Sequence, residues 1–294
     1  MSEAVRSGYV TIAGRPNVGK STFLNRVVGA KISITASKPQ TTRNRILGIY
    51  NDDSSQIVFV DTPGIHEPDK ALNRYMVETA VGTIRDADLV IVMADHLETP
   101  EKLGGVLAPV RTARRPAFLV LNKADLMDGD TCAGRLRELA QAYEFAHACA
   151  VSSTLGTGVP ELMEAVKAHL PEGPRYFPED MMTDAPLRFL CAEIIREKVF
   201  ELTRQEIPYA AAVEIERFDE GADPVRIAAA IHVERESQKA IVIGTGGAMI
   251  RQIGTHARLD MERLLGCRVF LELFVKVSRD WSKDPKRIRQ LGYR

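Results

Sequence analysis

Read as hydrophobic and polar positions, the first half of the chain alternates short apolar runs with amphipathic stretches. Tyr9 to Ala13 (YVTIA), Ile57 to Val60 (IVFV), Leu89 to Met93 (LVIVM), Ala117 to Leu121 (AFLVL) and His147 to Val151 are the runs; they predict strands, those at 57–60, 89–93 and 117–121 buried. Thr22 to Val28 continues from the first of them as a helix. Leu72 to Ile84, Ala133 to Tyr143 and Val159 to Leu170 place apolar residues at i, i+3, i+4 spacing, which predicts helices with one face on a core. Alternating strands and helices predict an α/β chain with a doubly wound sheet, whose ligands bind at the carboxyl edge of its strands. The pattern breaks around residues 171–186, where Pro171, Pro174, Pro178 and Pro186 stand among Glu179, Asp180 and Asp184. Such a turn-rich, acidic stretch reads as a linker.

The second half has a different order. Leu187 to Arg204 predicts a helix of about 18 residues, Tyr209 to Phe218 (YAAAVEIERF) and Val225 to Glu236 alternate like half-exposed strands, Ala248 to Leu265 predicts a helix, and Cys267 to Val277 a long strand. Before that last helix stands Ile243-Gly244-Thr245-Gly246-Gly247. G-x-x-G between an apolar run and a helix, closed by a strand, is the α+β arrangement of a type II KH-like unit. Its glycines let a single RNA strand pass close to the backbone, beside a groove for about four nucleotides. A glycine-rich helix cap is the alternative for G-x-x-G alone; the surrounding α-β-β-α-β order favours the RNA-binding reading. The chain is therefore expected as two domains, residues 1–175 and 187–294, joined by residues 176–186, the second ending in a basic tail.

Motifs at the strand ends specify the chemistry of the first domain. Gly14-Arg15-Pro16-Asn17-Val18-Gly19-Lys20-Ser21 fits G-x-x-x-x-G-K-[ST] between a strand and a helix, a loop whose backbone N–H groups cradle phosphates. Lys20 is the candidate for the β- and γ-phosphates and Ser21 for Mg2+, with Gly14, Asn17, Val18, Gly19 and Thr22 completing the loop. Asp61-Thr62-Pro63-Gly64 follows a strand 41 residues beyond Lys20. There Asp61 would hold Mg2+ through water, and the Gly64 N–H would meet the γ-phosphate. Asn122-Lys123-Ala124-Asp125 follows another strand and selects the base. A carboxylate at Asp125 accepts from guanine N1–H and the 2-amino group, donors that adenine does not present, so the expected nucleotides are GTP and GDP. After the next strand, Ser152-Ser153-Thr154 can offer a backbone N–H to guanine O6, a reading that rests on position alone.

Composition adds limits. With 45% apolar and 27% charged residues the chain can bury a core, and 39 basic residues against 39 acidic ones leave no net charge. That balance argues against broad nonspecific nucleic-acid binding and leaves room for a small, selective RNA footprint. The first 180 residues carry 20 Lys+Arg against 22 Asp+Glu, the remainder 19 against 17, and seven basic residues crowd the chain from Lys276 onward. The variable positions of the G-x-x-G loop, Thr245 and Gly246, include no lysine, so phosphate contacts are expected from Lys239, Arg251, Arg258 and backbone N–H groups. Cys132, Cys149, Cys191 and Cys267 lie far apart, which suggests neither a disulfide framework nor a zinc site and fits a reducing cytosol. Met1 to Gly8 is polar, and no run approaches 18 apolar residues, so neither export nor membrane spanning is expected.

GRPNVGKSTFLN, KISITASKPQTTRNRILGIY, DTPG, NKAD, REKVFELTRQEIPYAAAVEIERF and VIGTGGAMIRQIG together resemble the Era family, bacterial GTPases with a C-terminal KH domain, over nearly the whole chain. The resemblance implies a GTP-hydrolysing switch that binds the 3′ region of small-subunit ribosomal RNA and assists maturation of the small ribosomal subunit. It places the first switch at Pro39-Gln40-Thr41-Thr42-Arg43, with Thr42 reaching Mg2+ in the GTP state and Thr41 as the alternative register. Lys20, Thr42 and Gly64 form the implied catalytic set. Ile65 follows Gly64, where a Ras-type enzyme carries a water-orienting glutamine further into the switch; an isoleucine cannot bond water, so unaided hydrolysis is expected to be slow. Asn17 matches the position at which related GTPases hold potassium through the asparagine carbonyl, making K+ a further candidate. The linker would let GTP-ordered switches open or shield the KH groove. A cytoplasmic monomer working on the precursor of the small subunit is the expected form. A signalling switch docking on proteins or at the inner face of the membrane, with a merely structural KH unit, is the alternative.

Overall fold

The structure, a computed structural model of the chain, describes residues 5–35, 42–65, 71–203 and 206–293. These cluster into two units. Residues 5–33, 42–65 and 73–184 make the first, and residues 34–35, 71–72, 185–203 and 206–293 the second.

In the first unit β1 (Val5–Gly14) leads into α1 (Lys20–Val28), and β2 (Ile46–Asn51) pairs antiparallel with β3 (Ser55–Asp61). Then come α2 (Ala71–Asp86), β4 (Leu89–Ala94), α3 (Pro100–Ala113), β5 (Ala117–Leu121), α4 (Gly129–Ala140), β6 (His147–Ala150), α5 (Val159–His169) and the short β7 (Glu172–Gly173). The strands run β2-β3-β1-β4-β5-β6, with β7 pairing antiparallel with the start of β1. From β3 to β6 every pair is parallel, as a doubly wound sheet requires. The order reverses around β1, and that reversal is where such sheets open a ligand crevice at their carboxyl ends. Strands β3, β4 and β5 are buried along their whole length, which is why they read as unbroken apolar runs.

Two elements escape the sequence pattern. Strand β2 is an edge strand, and α3 (PEKLGGVLAPVRTA) contains Gly104, Gly105 and Pro109, all poor helix formers. Packing overrides propensity there: Leu103, Val106, Leu107 and Val110 are buried on one face, and the Thr99 side chain accepts the Lys102 N–H as a cap. The stretch that reads as linker is tied down over residues 176–184. The Gln56 amide oxygen accepts from the N–H groups of Tyr176 (2.6 Å) and Phe177 (2.9 Å), and its nitrogen donates to the Phe177 carbonyl (2.8 Å). The Ile49 N–H donates to the Met182 carbonyl at 2.8 Å. Pro178 cannot donate to a ladder, while backbone groups of Tyr176, Phe177 and Met182 bond to β2 and β3 and hold the segment as an ordered arm.

The second unit comprises α6 (Leu187–Leu202), α7 (Ile207–Ala210), β8 (Ala212–Asp219), β9 (Val225–Val233), α8 (Glu236–Ile243), α9 (Ala248–Leu265), β10 (Val269–Val277) and α10 (Pro285–Gln290). Its sheet runs β10-β9-β8, parallel then antiparallel. Alternate residues of β9, Val225 through Val233, share one core with Ile194, Ile195 and Val199 of α6, Val242 of α8, and Ile253, Ala257 and Met261 of α9. The structure shortens two expected strands. Tyr209 and Ala210 close a helical turn before β8 begins, and β9 stops at Val233 because α8 starts at Glu236. Gln238 fixes that start, its side-chain oxygen accepting the N–H groups of Glu234 and Arg235. The expected tail is a folded cap: Trp281 is fully buried, donates its indole N–H to the Ala210 carbonyl at 2.8 Å and stacks on Tyr293. No described helix is long and apolar enough to cross a membrane.

Ile253 is fully buried in the second core, so Ile253→Ala is expected to cost about 2–5 kcal/mol. The fluorescence of Trp281, the chain's one tryptophan, followed through urea unfolding reads the loss as a lower midpoint.

Candidate functional site

Between the end of β1 at Gly14 and the start of α1 at Lys20 the chain makes a tight loop under the helix N-terminus. Gly19 sits at φ 101°, and a Cβ there would lie 2.1 Å from the Asn122 side-chain nitrogen, so only glycine lets the two loops meet. The Lys20 ammonium donates to the carbonyls of Gly14 (3.1 Å) and Arg15 (2.9 Å). Burial brings its pKa down to about 8, against the pull of Asp61 and Glu98. A phosphate entering the loop would restore the charge partner that water no longer supplies. Asn17 is exposed on the same loop at φ 67°.

Below the loop lies an oxygen cluster. Register places Asp61, the last residue of β3, opposite Ile12 of β1, so its carboxylate meets the first turn of α1. The Asp61 Oδ2 accepts from the hydroxyls of Ser21 (2.7 Å), Ser33 (2.9 Å) and Thr42 (3.3 Å). The Ser21 and Thr42 hydroxyls stand 2.8 Å apart. Asp61 Oδ1 is buried with no hydrogen-bond partner among the described residues. Burial pushes this carboxyl upward, while Lys20 and the hydroxyls favour its charged form. Hard oxygen donors around an uncommitted carboxylate oxygen fit Mg2+, which takes few protein ligands and completes its shell with phosphate and water. No group of three or more His, Cys, Asp or Glu side chains among the described residues offers another metal cluster. Thr42 is thus brought to the site; Thr41, like Pro39 and Gln40, lies outside the described residues.

The β3 loop closes on the phosphate loop. A Cβ on Gly64 would lie 2.5 Å from the Pro16 nitrogen, and the Ile65 N–H donates to the Gly14 carbonyl at 3.1 Å. The Ile65 side chain is buried in the core that also holds Ala13 and Ala80. The Thr62 hydroxyl donates to the Ile12 carbonyl at 2.9 Å, so that side chain holds β1 and is not turned to a ligand.

At the far end Asn122 acts as a bracket. Its nitrogen donates to the Val18 carbonyl (2.8 Å), and its oxygen accepts from the N–H (3.0 Å) and hydroxyl (2.9 Å) of Ser153. The loops after β1, β5 and β6 are thereby joined by one buried side chain. Ser152 accepts the Leu155 N–H at 3.1 Å, closing the last of them. Asp125 stands exposed on the same edge, and Lys123, at φ 61°, pairs with Asp95 at 2.7 Å. The motifs do not announce Ser33, Asp95 or Arg26. Arg26, in the last turn of α1, donates to the Ser153 carbonyl at 3.0 Å and also to that of Thr154. A basic residue in a last turn was the only sequence signal.

The second unit offers a glycine-rich loop. Gly244, Gly246 and Gly247 have φ of 72°, 59° and 77°, and a Cβ on Gly246 or Gly247 would meet nothing within 4 Å. The backbone there is open to close approach. Thr245 and Arg251 are exposed, while Ile243 and Lys239 are half-buried on α8. Arg258 is set apart: it pairs with Glu262 at 2.8 Å and lies about 10 Å along α9 from Arg251, at 1.5 Å per residue.

A family model described as a 50S ribosome-binding GTPase matches residues 9–123, and a KH domain model matches residues 206–282. The chain is 52% identical to GTPase Era of Geobacter metallireducens over 98% of both proteins. Two solved structures match with a TM-score of 0.94 and 40% identity over 98% of this chain and 99% of theirs. One is a point variant of Era from Aquifex aeolicus bound to GDP and AlF4−, the other Era in complex with MgGDPNP and nucleotides 1506–1542 of 16S ribosomal RNA.

Replacing Asn122 by alanine strands the Val18 carbonyl and the Ser153 N–H, each worth about 1–3 kcal/mol when left unmade. Titration of fluorescent GDP is expected to show about a hundredfold loss of affinity; an unchanged constant would mean that the bracket does not shape the site.

Proposed function

The chain belongs to the Era family of GTPases, and from that premise we propose a GTP-hydrolysing switch whose second unit grips the 3′ region of small-subunit ribosomal RNA and assists maturation of the small subunit. One observation carries the reading. A phosphate loop, two hydroxyls and a buried carboxylate meet at one sheet edge, in a chain that also bears an open, positive-φ G-x-x-G loop. We assign the nucleotide work to residues 1–175 and the RNA work to residues 187–294, in a protein acting as a cytoplasmic monomer.

In this reading the P-loop N–H groups and Lys20 hold the β- and γ-phosphates, and the Gly64 N–H donates to a γ-oxygen. Ser21 and Thr42 offer hydroxyl oxygens to Mg2+, and Asp61 its carboxylate through water. When bound, Mg2+ neutralises charge on the β- and γ-oxygens. Asp125 reads the guanine edge, a backbone N–H near Ser153 meets O6, and Asn122 holds that loop against the phosphate loop. With Ile65 buried in the core, no side chain at that position orients the attacking water, so we expect slow unaided turnover. Asn17 is exposed at the loop mouth and supports a K+ ion beside the phosphates. Hydrolysis is expected to run several-fold faster in potassium than in sodium chloride at equal ionic strength, and equal rates would remove the cation from the mechanism.

RNA binding comes to this chain from the relative solved with a 16S segment and is supported by the open backbone around Gly246. Anisotropy with a labelled single strand from the small-subunit 3′ end tests it. Gly246→Asp, which sets a carboxylate among RNA phosphates, is expected to weaken binding at least tenfold and to leave unaided GTP hydrolysis intact. Equal RNA affinity in that variant would defeat the RNA reading. Equal affinity of the unaltered chain with GDP and with a GTP analogue would instead remove only the coupling between nucleotide and RNA.

A further inference from the structure

The reading above assigns Ser21, Thr42 and Asp61 to the metal and leaves a fourth member of the cluster without a role. Ser33 is 1% exposed, and its hydroxyl donates to Asp61 Oδ2 at 2.9 Å. Its backbone is clamped by Asn25 through two hydrogen bonds, with a third to the neighbouring Ile32. The Asn25 Oδ1 accepts from the N–H groups of Ile32 (3.0 Å) and Ser33 (2.9 Å), and its Nδ2 donates to the Ser33 carbonyl at 2.7 Å. Asn25 stands four residues after Ser21 on α1, one turn further along the same face. The hydroxyl of Ser33 is therefore fixed to the helix that carries the Mg2+ serine.

We propose that Ser33 is a positioning residue for the Mg2+ site: its nucleotide-independent hydrogen bond holds the Asp61 carboxylate beside the Ser21 and Thr42 hydroxyls, and so sets how tightly Mg2+ would be retained with GDP. The proposal rests on the GTPase reading. Three hydroxyls share Asp61 Oδ2. Two of them, Ser21 and Thr42, are the ones that turn their oxygens to the metal, and Thr42 belongs to the segment expected to leave once the γ-phosphate is gone. Only the Ser33 donor is held by contacts that neither metal nor nucleotide touches. A buried carboxylate that lost this donor could turn, and the ligand geometry would turn with it. Hydrogen-bond partners that orient metal ligands typically govern affinity by about 10- to 100-fold.

The test follows release of a fluorescent GDP analogue from the full chain over a range of free Mg2+ and in EDTA. In Ser33→Ala the Mg2+ concentration giving half-maximal retention is expected to rise at least tenfold, while the release rate in EDTA stays within twofold of the unaltered chain. An unshifted midpoint overturns the proposal. So does an EDTA rate raised by the same factor as the rate in Mg2+, because that is what loosened packing alone would do. If release from the unaltered chain ignores Mg2+, the metal reading itself falls, an outcome distinct from a Mg2+-sensitive parent with an unaffected variant.

Discussion

The carboxylate of Asp61 is the constraint around which the first unit is arranged. It is fully buried, and an ionised carboxylate away from water is tolerable only when charges and donors surround it. Those partners come from separate pieces of chain: Lys20 and Ser21 from the first turn of α1, Ser33 from the loop after it, Thr42 from beyond the undescribed segment. Their convergence requires β3 to lie beside β1 with Asp61 opposite Ile12, which is what the β2-β3-β1-β4 order supplies. Strand topology and metal chemistry are here one requirement. A sheet wound in another order would leave the same residues present and the cluster absent.

Much of this was legible in the chain because the chemistry admits few substitutes. Lys20, Ser21, Asp61 and Asn122 carry side chains fixed by what they touch, at spacings fixed by a strand-loop-helix unit, so their motifs survive without structural context. The buried strands were equally plain, being apolar on both faces. What could not be read is what tertiary packing decides. Helix α3 forms around Gly104, Gly105 and Pro109 because its buried face outweighs their propensities, and residues 176–184 look like a spacer until Gln56 is seen to hold them. Ser33, Asp95 and Arg26 owe their places to contacts with residues 28, 28 and 127 positions away, and no local pattern marks such partners. Thr62 shows the converse: a motif residue whose hydroxyl serves the sheet.

The second unit makes the same point through charge. The basic run from Lys276 onward reads in the sequence as a tail that tracks phosphates or is a solvated end, yet Trp281, Ile288 and Tyr293 are buried and fold it into a cap. Lys283, Lys286, Arg287 and Arg289 are exposed on that cap. Arg258, drawn from sequence as a phosphate partner, is engaged by Glu262, which also accepts the Val269 N–H; a carboxylate already ordering the turn between α9 and β10 was invisible to spacing.

A chain without net charge that is proposed to take two polyanions, a nucleotide and an RNA strand, cannot rely on bulk electrostatics. Both of its candidate sites instead use backbone. The phosphate loop turns through Gly19 under a helix N-terminus, and the G-x-x-G loop turns through Gly244, Gly246 and Gly247 just ahead of α9. In the first, N–H groups at the helix N-terminus are neutral overall yet positive where an anion arrives. Such donors act only at contact distance, so they hold a correctly placed phosphate and exert little pull on one passing by. In the second, the Gly244 and Gly247 N–H groups are bonded to the Ala240 and Gly244 carbonyls, and what the loop offers is close approach to an open backbone. In the proposed RNA reading, a G-x-x-G loop without lysine would favour close fit over long-range attraction, which is the regime in which shape and sequence can be discriminated.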